Sequence, residues 1–316
     1  MALEHADVYD VVIVGLGPAA ITAAIYSYRK RAKTLLIGKD FGGAVLISGE
    51  IENWPGVVHT DGIELSQKFQ EQIKKYCTDV SCFDQSLVTK IERREDLFRV
   101  HNEHGRFYDT RTVIYATGRT PRKLGVPGEE EYRNKGVSYC AVCDGPLFGG
   151  KDVAVIGGGN SALEALLMLT NIASKVTAVN INPAFKGDEI YIQQLPKLSN
   201  VEVVYNGVTT AIEGDGKFAT GIVLEEKETK KKRKIPARGI FVEIGSLPVL
   251  HPVKDLGLEL NTYNEVVVNK TCGTNIPGFY AVGDITDVRD KQIVVAAGMG
   301  CTAALSVGEY LVKTGR

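Results

Sequence analysis

Cys140 and Cys143 stand two residues apart in the segment Ser138-Tyr139-Cys140-Ala141-Val142-Cys143-Asp144. On a helix that spacing puts the two Cα atoms roughly 5–6 Å apart, within reach of a disulfide. Such a pair opens and closes with little backbone motion. The Asp144 carboxylate follows at once, placed to serve a thiol that must gain or lose a proton. The same spacing also suits half of a zinc site. Cys77 and Cys82, with four residues between them, could complete a four-thiolate set, although Cys77 ends an amphipathic stretch far from Cys140. Outside that arrangement Cys77 and Cys82 read as half-buried thiols, Cys272 as a thiol in a polar loop, and Cys301 as a thiol packed in the core. The five histidines show neither metal nor triad spacing, and His59 and His251 read as surface or loop residues.

Two glycine-rich segments frame the cysteine pair. Val11 to Val14 is a β-branched run of the kind buried in a parallel sheet, and Gly15-Leu16-Gly17-Pro18-Ala19-Ala20 follows it into an Ala-rich helix reaching about Lys30. Strand, glycine turn and helix in that order form a dinucleotide fingerprint. Gly15 permits the tight turn, Gly17 lets the backbone approach a pyrophosphate, and Ala20 lets helix and strand pack closely. Thr34 to Ile37 reads as the next strand; the acid expected after it for a ribose is absent, and Gly38 and Lys39 stand there. Downstream, Val153 to Ile156, Gly157-Gly158-Gly159-Asn160-Ser161-Ala162, a helix to about Ile172 and a strand from Lys175 to Val179 repeat the unit. A duplicated nucleotide-binding unit implies two nucleotide-like ligands, or one ligand and one vestige.

The remaining elements must hold these segments in place. A helix capped near Asp61 carries Ile63, Leu65, Phe69, Ile73 and Tyr76 on or near one face, read as core packing. Leu87–Ile91, Phe98–His101 and Arg106–Tyr108 read as short antiparallel strands, and Thr112–Tyr115 as a separate buried strand leading into Ala116-Thr117-Gly118. Residues 119–128, with two prolines, read as a linker into a second domain. Gly221–Leu224 and Lys234–Ile235 flank a charged hairpin tip, read as solvated. Gly239–Ile244 reads as a buried strand, and Gln292–Gly315 as a mostly Ala- and Gly-rich helix.

At 316 residues, 44% hydrophobic and 24% charged, the chain suits two globular domains. A net charge of −1 gives no field that would select nucleic acid or a membrane. Met1–Asp10 has no signal-peptide pattern, and the longest apolar runs read as too short and interrupted to span a bilayer. Few cysteines and one CxxC fit a reducing, cytoplasmic setting.

Taken in order, these motifs resemble the low-molecular-weight thioredoxin reductases over essentially the whole chain. The resemblance rests on Gly15 to Ala20, Gly42-Gly43, Glu52-Asn53-Trp54-Pro55-Gly56, Ala116-Thr117-Gly118, Cys140 to Asp144, Gly157 to Ala162, Gly283-Asp284, Lys291-Gln292-Ile293 and Gly298 to Ala303. It implies an α/β fold of two Rossmann-like, three-layer ββα nucleotide-binding domains, the second inserted into the first. An FAD-binding domain would comprise 1–118 and 248–316, and an inserted pyridine-nucleotide-type domain, 119–247, would carry the redox pair. FAD would meet Gly15, Gly17, Pro18, Ala19, Gly38, Gly42, Gly43, Asn53, Ala116, Thr117 and Gly118, with Gly283 and Asp284 at its ribityl and phosphate groups and Gln292 and Ile293 near the ring. Trp54 would pack near the flavin or in the core. The Cys140–Cys143 disulfide would receive electrons from the flavin, Cys140 would attack the disulfide of a thioredoxin-like protein, Cys143 would face the flavin, and Asp144 would manage the proton. Arg119–Val126 and Gly245–Pro252 would be hinges, and the chain would form a homodimer.

One stretch departs from the family. Where NADPH users carry His-Arg-Arg and a later Arg, this chain has Asn180-Ile181-Asn182 and Lys186. A charge-assisted hydrogen bond is worth about 1.5–3 kcal/mol, so losing two weakens 2′-phosphate binding by roughly 3–6 kcal/mol, about a hundred- to ten-thousandfold. Three donors follow: ferredoxin or a flavin-like carrier, with Gly157, Gly159, Asn160 and Ser161 kept for the fold; NADH, with Asn180 on the ribose; or weak NADPH use through Lys186. NADH delivery to a peroxiredoxin-type or glutaredoxin-like partner, and a non-enzymatic FAD-binding redox sensor, are the alternatives to thioredoxin reduction.

Overall fold

The structure is a computed structural model. It describes residues 8–48 and 50–315, with the side chains of Ile47, Glu50, Val80 and Cys143 outside the described set. The chain divides into two compact units, Met1–Thr120 with Pro248–Arg316, and Pro121–Leu247. The first is built on a mixed seven-stranded sheet with parallel strands at its centre, the second on a parallel five-stranded sheet.

In the first unit the strand Tyr9–Val14 lies between the parallel strands Thr34–Ile37 and Phe107–Tyr115. Its side chains alternate between two cores. Val11 and Ile13 face Ala20, Ala24, Ala303 and Val307 of the helices Pro18–Arg29 and Ile293–Lys313. Val12 and Val14 face Val88, Ile91, Phe98 and Val100 of the antiparallel strands Val88–Arg94 and Leu97–Asn102. Burial on both faces is what the unbroken β-branched run requires.

The segments expected as separate strands before and after residue 110 are one nine-residue strand, Phe107–Tyr115. The polar residues that interrupt its apolar pattern find ionic partners. Arg99 holds Asp109 with two hydrogen bonds of 2.8 and 2.9 Å, and Arg111 Nη1 lies 2.9 Å from Asp10 Oδ1. The first half pairs antiparallel with Leu97–Asn102; the second pairs parallel with Phe279–Ala281.

The helix Ile293–Lys313 is long and apolar enough by length and composition to cross a membrane, which corrects the expectation that every apolar run is too short and interrupted. Its composition has another use here. A Cβ on Gly300 would lie 2.1 Å from the Ala19 carbonyl oxygen, so small residues allow this helix to sit directly on Pro18–Arg29. The helix Gly62–Tyr76 starts where Asp61 accepts the Glu64 N–H at 2.8 Å. Leu65, Phe69 and Ile73 point inward, but Ile63 stays 57% exposed, one position off that stripe.

In the second unit the parallel order is Val137–Ser138, Gly239–Val242, Asp152–Ile156, Lys175–Asn180 and Val201–Tyr205. Ala154 and Ile156 face a three-stranded antiparallel sheet through Ile212, Ile222 and Leu224. Val153 and Val155 face Ala162, Leu163 and Leu166 of the helix Asn160–Leu169. Both units therefore place parallel strands between helices on one face and antiparallel strands on the other; in the first unit the antiparallel strands continue the same seven-stranded sheet, and in the second they form a separate one.

Two cysteine expectations change. Cys77 and Cys82 are not thiols but a disulfide, with Cα atoms 5.8 Å apart. The helix ends at Cys77, and a turn through Asp79, whose side chain accepts the Ser81 N–H, brings Cys82 back beside it. Cys301 is half-buried rather than enclosed in the core, because its helix turns that face outward. Cys272 is a free, buried thiol, and burial pushes it up to about 11.

Candidate functional site

The glycine turn of the first unit meets the ends of three parallel strands. Gly15 has φ +124°, and a Cβ there would lie 2.3 Å from the Ala116 carbonyl oxygen. Only glycine fits both the conformation and the contact. Gly15 N–H donates to Ile37 and Ala116 N–H to Val14, which ties the turn to both neighbouring strands. Gly17 starts the helix Pro18–Arg29 without a side-chain cap, and no acidic residue occupies the first turn. That leaves the first amides of a twelve-residue helix to an anion.

The other residues expected to hold a flavin surround this turn. Gly42 N–H donates to the Leu16 carbonyl at 2.8 Å, and a Cβ on Gly43 would lie 3.2 Å from Gly17 Cα. Gly38, at the end of Thr34–Ile37, has no room for a Cβ against Leu16. Gly283, at φ +75°, packs against Ala19. Asn53 Nδ2 lies 3.4 Å from Gln292 Oε1, and Ile293 follows as the first residue of the last helix. Thr117 donates to the Val249 carbonyl, and nothing stands near a Cβ on Gly118. Burial raises the Asp284 carboxyl, and Lys291 and Arg119 work against that rise. Trp54 packs edge-on to Phe69 at 5.8 Å, on the margin of the core. A glycine cradle, an uncapped helix start and a half-buried carboxyl fit the diphosphate and hydroxyls of a flavin dinucleotide.

In the second unit Gly157 lies under the Glu243 carbonyl, where a Cβ would come within 2.1 Å. Gly159 starts the helix Asn160–Leu169 uncapped, with open space around it. Ser161 is exposed near that start. The following loop closes down on the turn. Lys186 N–H donates to the Gly158 carbonyl at 2.7 Å, and Asn160 exchanges hydrogen bonds with Asp188. Asn180 is fully buried, and its amide serves its own loop. Its Oδ1 accepts the Asn182 N–H and its Nδ2 donates to the Ala184 carbonyl, both at 3.0 Å. The Lys186 side chain is exposed.

Cys140 is disulfide-bonded and immediately precedes the short helix Ala141–Asp144. Ser138 Oγ accepts the Cys140 N–H at 3.0 Å and so fixes the approach to that helix. The Cys143 side chain, the other half of the expected pair, lies outside the described residues. Asp144 N–H donates to the Cys140 carbonyl at 3.2 Å.

Two carboxylates that belong to none of the sequence motifs support this segment. Glu129, 2% exposed, accepts the Leu124 and Gly125 N–H groups at 2.7 Å and the Tyr139 hydroxyl at 2.8 Å. Burial, then Glu129, raises the Tyr139 phenol. Glu243 follows the strand Gly239–Val242, and its carboxylate accepts the Ala141 N–H. Burial pushes this carboxyl up to about 7, and Glu164 adds to the rise. The sequence does carry a signal for Glu243. It is a carboxylate inside Gly239–Ile244, a stretch that reads as a buried strand; in the structure the strand ends at Val242, beside the strand that feeds the second glycine turn.

Comparison with known proteins adds four findings. The sequence pattern described as pyridine nucleotide-disulphide oxidoreductase matches residues 9–300. Among solved structures, the thioredoxin reductase of Lactococcus lactis shares the fold with a TM-score of 0.86 and 37% identity, over 96% of this chain and 99% of that one. Among curated proteins, a Bacillus subtilis NADH dehydrogenase is 41% identical over 99% of this chain and 61% of its own length. An Escherichia coli alkyl hydroperoxide reductase chain is 40% identical over 99% of this chain and 60% of its own. The chain thus spans about three fifths of the length of the curated relatives it matches.

Proposed function

The chain belongs to the pyridine nucleotide-disulphide oxidoreductase family, whose cofactor is FAD, and from that premise we propose that it is a disulfide reductase of the thioredoxin reductase type. Residues 1–118 and 248–316 hold FAD, and 119–247 carry the redox pair. The observation that carries this reading is Cys140, oxidised in a disulfide at the mouth of the CxxC helix.

Cys143, two residues on in the CxxC segment, is the partner this reading gives Cys140. Bound flavin, once reduced by the electron donor, would supply the two electrons that open this disulfide. Cys140, as thiolate, attacks a disulfide sulfur of a thioredoxin-like protein and forms a mixed disulfide. Cys143 then attacks Cys140, which re-forms the pair and releases the partner as a dithiol. Asp144 delivers the proton that the departing partner thiolate takes up. Glu243 holds the start of the helix through the Ala141 amide.

The donor is read from the loop after Lys175–Asn180. No arginine stands there, and Asn180 is buried and committed to its own loop, which leaves exposed Lys186 as the cation near a 2′-phosphate. That supports a donor other than NADPH, first a ferredoxin-type carrier giving one electron at a time. Similarity to proteins named NADH dehydrogenase and alkyl hydroperoxide reductase favours NADH as the second reading, with a peroxiredoxin-type partner. The test is anaerobic mixing of the yellow protein with NADPH, NADH and reduced ferredoxin in turn, followed by the flavin absorption band. Bleaching by ferredoxin alone supports the first donor, and fast bleaching by NADH the second. Fast bleaching at low NADPH concentration refutes the reading of the loop.

A further inference from the structure

The Cys77–Cys82 disulfide closes a loop with four residues between its cysteines, and both of them are partly exposed. A cavity of about 300 Å³ opens beside it, lined by Phe41, Ile73, Lys74, Cys77 and Phe83 among others. Cys77 is the cysteine on the cavity wall, and Lys74 sets a positive charge beside it. That is a setting in which an incoming thiolate finds a disulfide sulfur it can reach.

The loop does not stand alone. Tyr28 donates its hydroxyl to the Cys82 carbonyl and Tyr9 to the Ser81 carbonyl, both at 2.8 Å. The next strand, Phe83–Asp84, pairs with Thr34–Ile37 through Leu36↔Phe83 and Ile37↔Asp84. Gly38 N–H donates to the Asp84 carbonyl at 3.2 Å, and Gln85 Nε2 to the Lys39 carbonyl at 3.2 Å. Phe41 packs on Phe83 with ring centroids 6.0 Å apart. The disulfide therefore fastens the same few residues that hold Gly38 to Gly43 in place.

We propose that Cys77–Cys82 is a second thiol–disulfide exchange site, opened by a small dithiol protein, and that its closed form clamps the Gly38–Gly43 side of the flavin cradle. The proposal rests on the reading in which Gly38–Gly43 hold FAD. A thiolate of the dithiol attacks Cys77 Sγ; the bond to Cys82 breaks, and Cys82 leaves as a thiolate and takes a proton from water. The second thiol of the partner then attacks the mixed disulfide, so Cys77 is released as a thiol and the partner leaves as a disulfide. Two electrons and two protons pass to the clasp. Opening removes a covalent constraint on the loop and lets it sample more conformations. A high level of reduced dithiol partner would thus loosen the flavin in the enzyme that produces it.

The test uses the full-length, flavin-loaded protein. It is treated with dithiothreitol, then separately with a reduced thioredoxin, and new thiols are alkylated and located by mass spectrometry. In parallel, loss of FAD into solution is followed by the rise in free-flavin fluorescence. The expected result is that Cys77 and Cys82 become alkylated in the folded protein under both reductants. FAD release should become several-fold faster in step, and the Cys77→Ser/Cys82→Ser double variant should release FAD at that fast rate without reductant. Thiols at 77 and 82 in the air-exposed protein would overturn the proposal. So would a clasp that stays closed to both reductants while Cys140 is reduced, or one whose opening leaves FAD release unchanged. Failure to reduce Cys140 would count against the proposed function and leave the clasp result separately readable.

Discussion

The carboxylate of Glu243 accepts the backbone N–H of Ala141, so the end of one buried strand in the second unit grips the start of the helix that follows Cys140. The same residue places its carbonyl over Gly157, where a Cβ would lie within 2.1 Å. One residue thus sets the position of both the CxxC helix and the second glycine turn.

That contact predicts a pH dependence. Burial raises Glu243 from 4.5 to about 7, so its neutral form is favoured in the fold. The stability it contributes is fully present below about pH 4.5 and is lost as the pH rises through about 7. The difference between those two values corresponds to about 3 kcal/mol. Glu243→Gln keeps the acceptor for Ala141 but does not titrate. Thermal unfolding of both proteins between pH 5 and 8 should show wild type losing stability relative to the variant as pH rises. Parallel curves would mean that Glu243 ionises freely.

The cysteine order is also open to measurement. Cys143→Ser should leave a nucleophilic Cys140 that forms a stable mixed disulfide with a thioredoxin-like protein, seen as a single adduct by mass spectrometry. Cys140→Ser should form none. Both variants should keep bound flavin and lose turnover. An adduct only in the Cys140→Ser protein would reverse the assigned roles.

Gly15→Ala tests the cradle. The new Cβ would lie 2.3 Å from the Ala116 carbonyl at φ +124°, so the turn must shift. Such strain costs about 1–3 kcal/mol. The variant should be purified largely without its yellow colour and melt at a lower temperature, whereas Gly105→Ala, at a tip where nothing stands within 4 Å, should keep its flavin. Full flavin content in Gly15→Ala would place the cofactor elsewhere.

The donor loop yields a further comparison. An exposed ion pair is worth about 0–1 kcal/mol, so Lys186 should give NADPH no more than about a fivefold advantage over NADH. Titrations of the two nucleotides under anaerobic, non-reducing conditions check this. A hundredfold preference for NADPH would show that another cation reaches the 2′-phosphate.

Much of this arrangement is legible in the sequence because glycine turns and buried β-branched runs are local signals. Gly15, Gly17 and Gly157 to Gly159 stand where strand and helix require them, and the duplication shows in their order. What is not legible depends on distant partners. The strand Phe107–Tyr115 reads as two segments until Asp10 and Arg99 supply charges for Arg111 and Asp109. Cys77 and Cys82 read as thiols because nothing in their spacing announces the turn through Asp79 that brings them together. Asn180 reads as available to a ribose, but the fold of its own loop uses the amide. Glu243 draws no notice because Ala141, which it holds, is about a hundred residues away in the chain.

The most direct measurement concerns electron transfer through the Cys140 disulfide. The flavin-loaded protein is reduced anaerobically by light and a sacrificial donor, the excess donor is removed, and oxidised thioredoxin is added. Thiols are then counted on both proteins and located by alkylation. The expected result is a thioredoxin dithiol formed as the flavin returns to its oxidised, yellow form, with thiols passing transiently through Cys140 and Cys143 and none formed in the Cys140→Ser protein. Thioredoxin left oxidised while the flavin stays reduced, or reduced equally well by Cys140→Ser, would contradict a role for this cysteine pair in disulfide reduction.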